Sequence, residues 1–247
     1  MRKSYIVALT ITIPLNTKMK DEMIVITRPK LQSNRFYKQL IAAGIENDQL
    51  LISPVIKIKK LKTNPRIKSN SIILFTSENA ISSWDCQNKE QFNCYCVGLN
   101  TTRIAKEAGL NSKFLGDDIK TFIKNFPKNG GKQYHYLRGK DVSFDLSLSL
   151  SKLGIKIKET VVYEQLPQSL DEKVKLLLQS KNTVRMTVFS NLSALAIINE
   201  LDKIKFLNTE FVCLSSKIEQ TLREQGITNT IAPNRPNVES LISILTN

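Results

Sequence analysis

One histidine, His135, is all the chain has in 247 residues, and that scarcity excludes a good deal of chemistry. A catalytic arrangement needing two imidazoles has no second one. The four cysteines, Cys86, Cys94, Cys96 and Cys213, include no C-x-x-C pair. A metal centre is therefore not expected. Neither G-x-x-x-x-G-K-S nor G-x-G-x-x-G occurs, which argues against nucleotide cofactors. No apolar run reaches bilayer-spanning length. The run from Tyr5 to Leu15 has the length of a signal peptide, but no A-x-A cleavage pattern follows it. Residues 1–22 are read as an N-terminal extension, with Met19 and Met23 as alternative starts and the fold beginning at Met23.

Acidic residues are also short, 22 Asp and Glu against 36 Lys and Arg, for a formal net charge of +14. Basic chains meet nucleic acid, anionic membranes or acidic small molecules. No single basic cluster or aromatic-interleaved stripe stands out, which argues against nucleic acid. A composition rich in Lys, Ile and Asn together is the competing source of the charge. Cys94 and Cys96 in "FNCYCVG" fall on one face of a buried strand, and His135 lies inside the strand-like "KQYHYLRG" as a structural residue. Free thiols used as small apolar residues suit a reducing cytoplasm.

Strand and helix signals alternate from Met23 onward, which argues for parallel sheets flanked by helices on both faces, an α/β fold. "MIVITRP" reads as a strand and "SNRFYKQLIAAG" as a helix closed by Gly44. "SIILFTSENAISSW" (71–84) and "TVRMTVFSNLSALAII" (183–198) write a strand, a serine and a helix in the same way. Each leads to a second strand-to-helix turn, at "VGLNTTRIAKEAG" and at "CLSSKIEQTLREQG". Two similar lobes are the economical reading. The lone extended segments 52–59 and 159–166 are expected to form a two-stranded β linker that permits opening and closing. Lobe 1 then comprises 23–51 and 167–247, and lobe 2 comprises 60–158.

Each repeated turn begins its helix with Ser, Thr or Asn, the preferred N-cap residues, and Ser216-x-x-Glu219 fits a capping box. Capping accounts for any one turn alone. Several such turns together, at the carboxyl ends of strands, would also hold carboxylates or phosphates on free N–H groups. A non-catalytic, bilobed anion-binding protein of the solute-receptor kind would use the same turns, and a DNA-binding protein is suggested by charge alone.

The segments "VITRP", "LFTSENAI", "VGLNTTRIAKEAG", "YLRGKD", "VVYEQLP", "VFSNLSAL" and the closing "AP…ESLISIL", in that order from Met23 to the end, resemble the uroporphyrinogen-III synthase family. The resemblance implies two α/β lobes joined by a β linker. It implies an enzyme without a cofactor, acting on hydroxymethylbilane, a linear tetrapyrrole with acetate and propionate on every ring. Hydroxide leaves the first ring to give an azafulvene, and the last ring attacks through its substituted α-carbon. A spiro intermediate then fragments and recloses, giving uroporphyrinogen III. Such chemistry asks for positioning and exclusion of water rather than a strong acid–base dyad, and the sequence shows no such dyad.

On the same resemblance, Tyr163 in "VVYEQ" is the residue expected to assist hydroxide departure. Thr76, Ser77 and Asn79 form the first turn that would hold carboxylates, with Ser190 as the counterpart of Ser77. Thr101 matches the family threonine, and Gly98 permits close backbone approach. Arg28 and Arg138 follow strands, where each could grip carboxylates or equally form a surface or interlobe salt bridge; Lys140 is a weaker candidate. The second G-x-x-T turn reads Ser215-Ser216-Lys217-Ile218, so Ser216 or Lys217 is left to act where a threonine is expected. The partner implied is one small carboxylate-rich molecule, with no nucleic acid and no membrane, and the protein is expected to be a cytoplasmic monomer.

Overall fold

A computed structural model describes residues 22–63, 65–127 and 132–247. The expected extension, residues 1–22, lies outside these apart from Glu22, which opens β1 (Glu22–Ile26). The four apolar residues of β1 are all buried, as a strand covered on both faces requires. Helix α1 (Lys30–Ala42) starts three residues before the serine expected to open it, because Pro29 at its N-cap has φ −52°, already set for a helix start. The Ser33 hydroxyl instead donates to the Arg28 carbonyl at 2.5 Å. Strand β2 (Leu50–Ile52) stops just before Pro54, and β3 (Ile56–Lys60) begins after it. The single extended segment expected at 52–59 is thus two strands, parted by a residue with no N–H to give.

The chain continues through β4 (Ile72–Phe75), α2 (Glu78–Ser83), β5 (Asn93–Val97), α3 (Leu99–Glu107), β6 (Asn111–Gly116), α4 (Ile119–Lys124), β7 (Tyr134–Gly139), α5 (Leu146–Ser151) and β8 (Ile157–Pro167). It ends with α6 (Glu172–Leu178), β9 (Thr183–Val188), α7 (Asn191–Leu201), β10 (Thr209–Cys213), α8 (Ser216–Arg223), β11 (Thr230–Ile231) and α9 (Val238–Leu245). Two compact units result. Unit 1 runs to Val55 and resumes at Gln168; unit 2 is Ile56–Pro167.

Unit 1 holds one sheet in the order β11-β10-β9-β1-β2, every pair parallel. Numbered within that unit, this is the doubly wound order 2-1-3-4-5 read from its other edge. Unit 2 has the order β3-β8-β7-β4-β5-β6, parallel except for the β3–β8 pair. Strands β8-β7-β4-β5-β6 repeat the arrangement of unit 1, but here the chain forms β4 before β7 and β8, whereas in unit 1 the equivalent β9 follows β1 and β2. The expected linker strands do pair, antiparallel, from Ile56 opposite Pro167. They are no free-standing ribbon, because β8 is also hydrogen-bonded to β7.

Strand alternation explains the core of unit 2. Ile73 and Phe75 face one side with Cys94, Cys96 and Leu137, where Ala80, Ile81 and Ala105 of α2 and α3 cover them. Ile72 and Leu74 face the other with Tyr95, Tyr134 and Tyr136, under Phe122, Leu146 and Leu150 of α4 and α5. A run buried on both sides has to be continuously apolar. In unit 1, Ile24, Ile26, Leu50 and Val212 pack with Phe36 and Leu40 of α1 and Leu241 and Leu245 of α9. His135 is buried, with Nε2 2.8 Å from the Thr160 hydroxyl. The Cys94 and Cys96 sulfurs lie 3.8 Å apart, and burial pushes the Cys213 thiol up to about 12; these are packing groups, not reactive ones.

Candidate active site

In a doubly wound sheet, ligands bind outside the carboxyl ends of the strands where the winding reverses. In unit 2 that point is the β7–β4 pair. A cavity of about 360 Å³ opens there, lined by Thr76 and Ser77 beyond β4, Tyr136 and Gly139 of β7, and Tyr163 of β8. The loop Asp141–Phe144, Val97 and Ile119 complete its wall.

Tyr163 is 6% exposed, and the side chains of Ser77 and Asn79 stand beside its phenol. Burial raises its pKa, more than these two polar neighbours pull it back, and the charge of Asp141 adds to the rise. The phenol therefore keeps its proton at neutral pH and remains a donor. Room for its ring comes from Gly139. A Cβ built there would lie 2.7 Å from Cζ and 2.9 Å from the hydroxyl of Tyr163, so only glycine allows the two strands to meet in this way. Behind it, the Tyr136 hydroxyl is 2.8 Å from Oγ1 of Thr76, and burial raises its pKa too.

The fold thus brings together Thr76, Ser77, Asn79 and Tyr163 from the expected set. Ser77 does cap α2, accepting the Asn79 N–H at 3.2 Å. Its hydroxyl also stands beside the Tyr163 phenol, however, and α2 has only six residues, too few for much of a dipole.

Other candidates fall elsewhere. The Gly98 N–H, at the N-cap of α3, is spent on the Gly116 carbonyl at 2.8 Å, and Thr101 is buried beneath it. Neither lines the cavity. Arg138 is ion-paired with Glu159 at 2.9 Å and donates to the Gly139 and Lys140 carbonyls. Lys140 reaches Glu164 at 3.8 Å.

In unit 1, Ser190 caps α7, accepting the Ser193 N–H at 3.1 Å. The Arg28 guanidinium lies 4.1 Å from the centroid of the Phe189 ring. The N-cap of α8 is Ser215, which leaves Ser216 as the first helical residue. The expected capping box is therefore out of phase. The Glu219 carboxylate pairs instead with Arg223 at 2.8 Å and with the Thr230 hydroxyl at 3.0 Å, charge-assisted contacts stronger than a box would give.

Sequence reasoning missed Tyr136, Gly139 and Asp141. The motif "YLRGKD" holds all three, but nothing local says that Tyr136 and Gly139 face β4 and β8. Among the described residues, no helix is long and apolar enough to cross a membrane, and no cluster of His, Cys, Asp and Glu of metal-binding size occurs.

Fold and site together define a doubly wound α/β enzyme with buried phenols at the carboxyl ends of its strands. The family profile described as uroporphyrinogen-III synthase HemD matches residues 30–243, and the chain belongs to that family. Its reaction is the cyclisation of hydroxymethylbilane to uroporphyrinogen III, a step of porphyrin biosynthesis, and its substrate is a small tetrapyrrole. No curated protein sequence matches the chain. Among solved structures, the uroporphyrinogen-III synthetase of Helicobacter pylori is 20% identical over 91% of this chain and 98% of that one, with a TM-score of 0.64. That likeness bears on the fold. A mutant uroporphyrinogen III synthase from the extremely thermophilic bacterium Thermus thermophilus is 15% identical over 90% and 97%, with a TM-score of 0.49.

Proposed function

We propose that ring closure is started in the unit 2 cavity, with the Tyr163 phenol giving its proton to the departing hydroxide. The observation that carries this is the buried, still protonated phenol in the cavity wall, beside Ser77 and Asn79. The C–O bond of the hydroxymethyl carbon breaks with its electron pair on oxygen, and water leaves. The phenolate recovers a proton when the newly closed pyrrole regains its aromaticity. Thr76 keeps Tyr136 in place beside this group, while Arg138, Gly98 and Thr101 fix the strand ends around it.

Carboxylate contacts are assigned to Arg28, Ser190 and Ser216 of unit 1. Support comes from the 11-residue and 8-residue helices that Ser190 and Ser216 begin, long enough to present partial positive charge. We further propose a monomer in the cytoplasm, the compartment being supported by four free thiols, three of them buried as core residues.

The test generates hydroxymethylbilane in situ and separates the type I and type III isomers. Type III product is expected from the wild type. Tyr163→Phe should lower its rate by about a hundredfold with the thermal midpoint preserved; undiminished turnover removes Tyr163 from the reaction.

A further inference from the structure

The charge of the unit 2 cavity runs against that of the chain. Lys and Arg outnumber Asp and Glu by 36 to 22, yet no described residue lining this cavity is a cation, and its one charged side chain is Asp141. The wall is otherwise hydroxyls and the apolar Val97, Ile119, Val142 and Phe144. Val142 and Phe144 are 45% and 38% exposed, open to a ligand in the cavity. At about 360 Å³ the cavity stands at the small end of ligand sites, sized for part of a tetrapyrrole. Carboxylate tails meet no cation among its lining residues and would be repelled by Asp141. A pyrrole ring fits on every count. Its faces are apolar, its N–H needs an acceptor, and it becomes cationic as hydroxide leaves.

We propose that this cavity is the subsite of the reacting hydroxymethyl-pyrrole, with the Asp141 carboxylate accepting the ring N–H and stabilising the azafulvenium cation. The proposal rests on the reading of Tyr163 given above. As the C–O bond breaks, the ring nitrogen's lone pair feeds the new exocyclic C=C bond and positive charge settles on the N–H. Asp141 neither gains nor loses a proton in the step. A fixed anion beside a charge that appears only in the transition state lowers the barrier without tightening the ground state. The same anion turns the acetate and propionate tails outward. That Asp141 acts on groups in the cavity has separate support in its effect on the Tyr163 phenol.

The experiment measures kcat and KM for type III formation with the full chain carrying Asp141→Asn or Asp141→Glu. Asp141 is exposed, and both variants should melt as the wild type does. Asp141→Asn is expected to lower kcat by about tenfold to a hundredfold, the effect of removing one charge-stabilising group less solvent screening. KM should stay level or fall. Asp141→Glu, which keeps the charge, should retain most of the activity. An unchanged kcat in Asp141→Asn, a loss confined to KM, or an equal loss in Asp141→Glu overturns the proposal. A wild type that yields type III product alongside an unaffected Asp141→Asn defeats this inference alone. A Tyr163→Phe variant as fast as the wild type defeats the underlying reading.

Discussion

Arg28 and Arg138 hold equivalent places in two sheets, and their surroundings differ. Leu74 of β4 lies between Tyr95 and Tyr136, and Thr187 of β9 between Val212 and Ile26. Counting outward from these triplets, Ser77 corresponds to Ser190, Gly98 to Ser215, Cys96 to Cys213 and Arg138 to Arg28. Both serines cap their helices. The residue before each cap is where the units part. In unit 2 it is Thr76, which meets the Tyr136 hydroxyl. In unit 1 it is Phe189, edge-on to Phe36 at 5.0 Å and covered by Arg28. Ile26, standing where Tyr136 does, has no hydroxyl to offer. One frame therefore supports a polar cavity in unit 2 and an aromatic–cation stack in unit 1, according to two side chains in each.

Exchanging those side chains should break the difference. Thr76→Phe fills the unit 2 cavity and removes the Tyr136 hydrogen bond, so type III formation should fall by about a hundredfold or more. Next comes Gly139→Ala, whose methyl would displace the Tyr163 ring. A loss of about tenfold in kcat and a destabilisation of about 1–3 kcal/mol are expected, read by steady-state assay and thermal denaturation. Phe189→Ala in unit 1 should cost about 1–2 kcal/mol of stability, since its ring is only half-buried, while kcat changes less than in Thr76→Phe.

The smallest effect concerns Glu200 of unit 1. Burial alone would raise its pKa, but hydrogen bonds from Lys203, the Leu170 N–H and Ser169 bring it below the ordinary 4.5. A carboxylate depressed on folding stabilises above its unfolded pKa and loses that contribution as pH falls through the folded value. Glu200→Gln should therefore cost about 1 kcal/mol at neutral pH. The difference from wild type should vanish in denaturant titrations once the pH is well below 4.5.

Much of this was legible in order along the chain. The alternation of β-branched runs with 3.6-period segments specified parallel sheets, and the glycines at 44 and 109 marked helix ends, each now at positive φ. The serines at 77 and 190 were legible as caps because capping is local. The failures were also local in origin. Ser216 and Glu219 had the spacing of a capping box, but Arg223 and Thr230 compete for the carboxylate, and Thr230 arrives from another strand. For Arg138 the sequence left a carboxylate grip and a salt bridge both open, and the structure holds it in an ion pair with Glu159 on the neighbouring strand.

What the sequence determined alone was the inventory and its rhythm. It set two copies of one strand–serine–helix phrase, a single histidine, and a tyrosine in "VVYEQ". What waited for the tertiary structure was adjacency. Thr76 and Tyr136 are 60 residues apart, and Tyr163 comes near Ser77 only because the sheet sets β8 beside β7 and β7 beside β4. Periodicity is a property of neighbouring residues. Pairing is decided by which buried faces close over one another, and no short stretch of chain carries that.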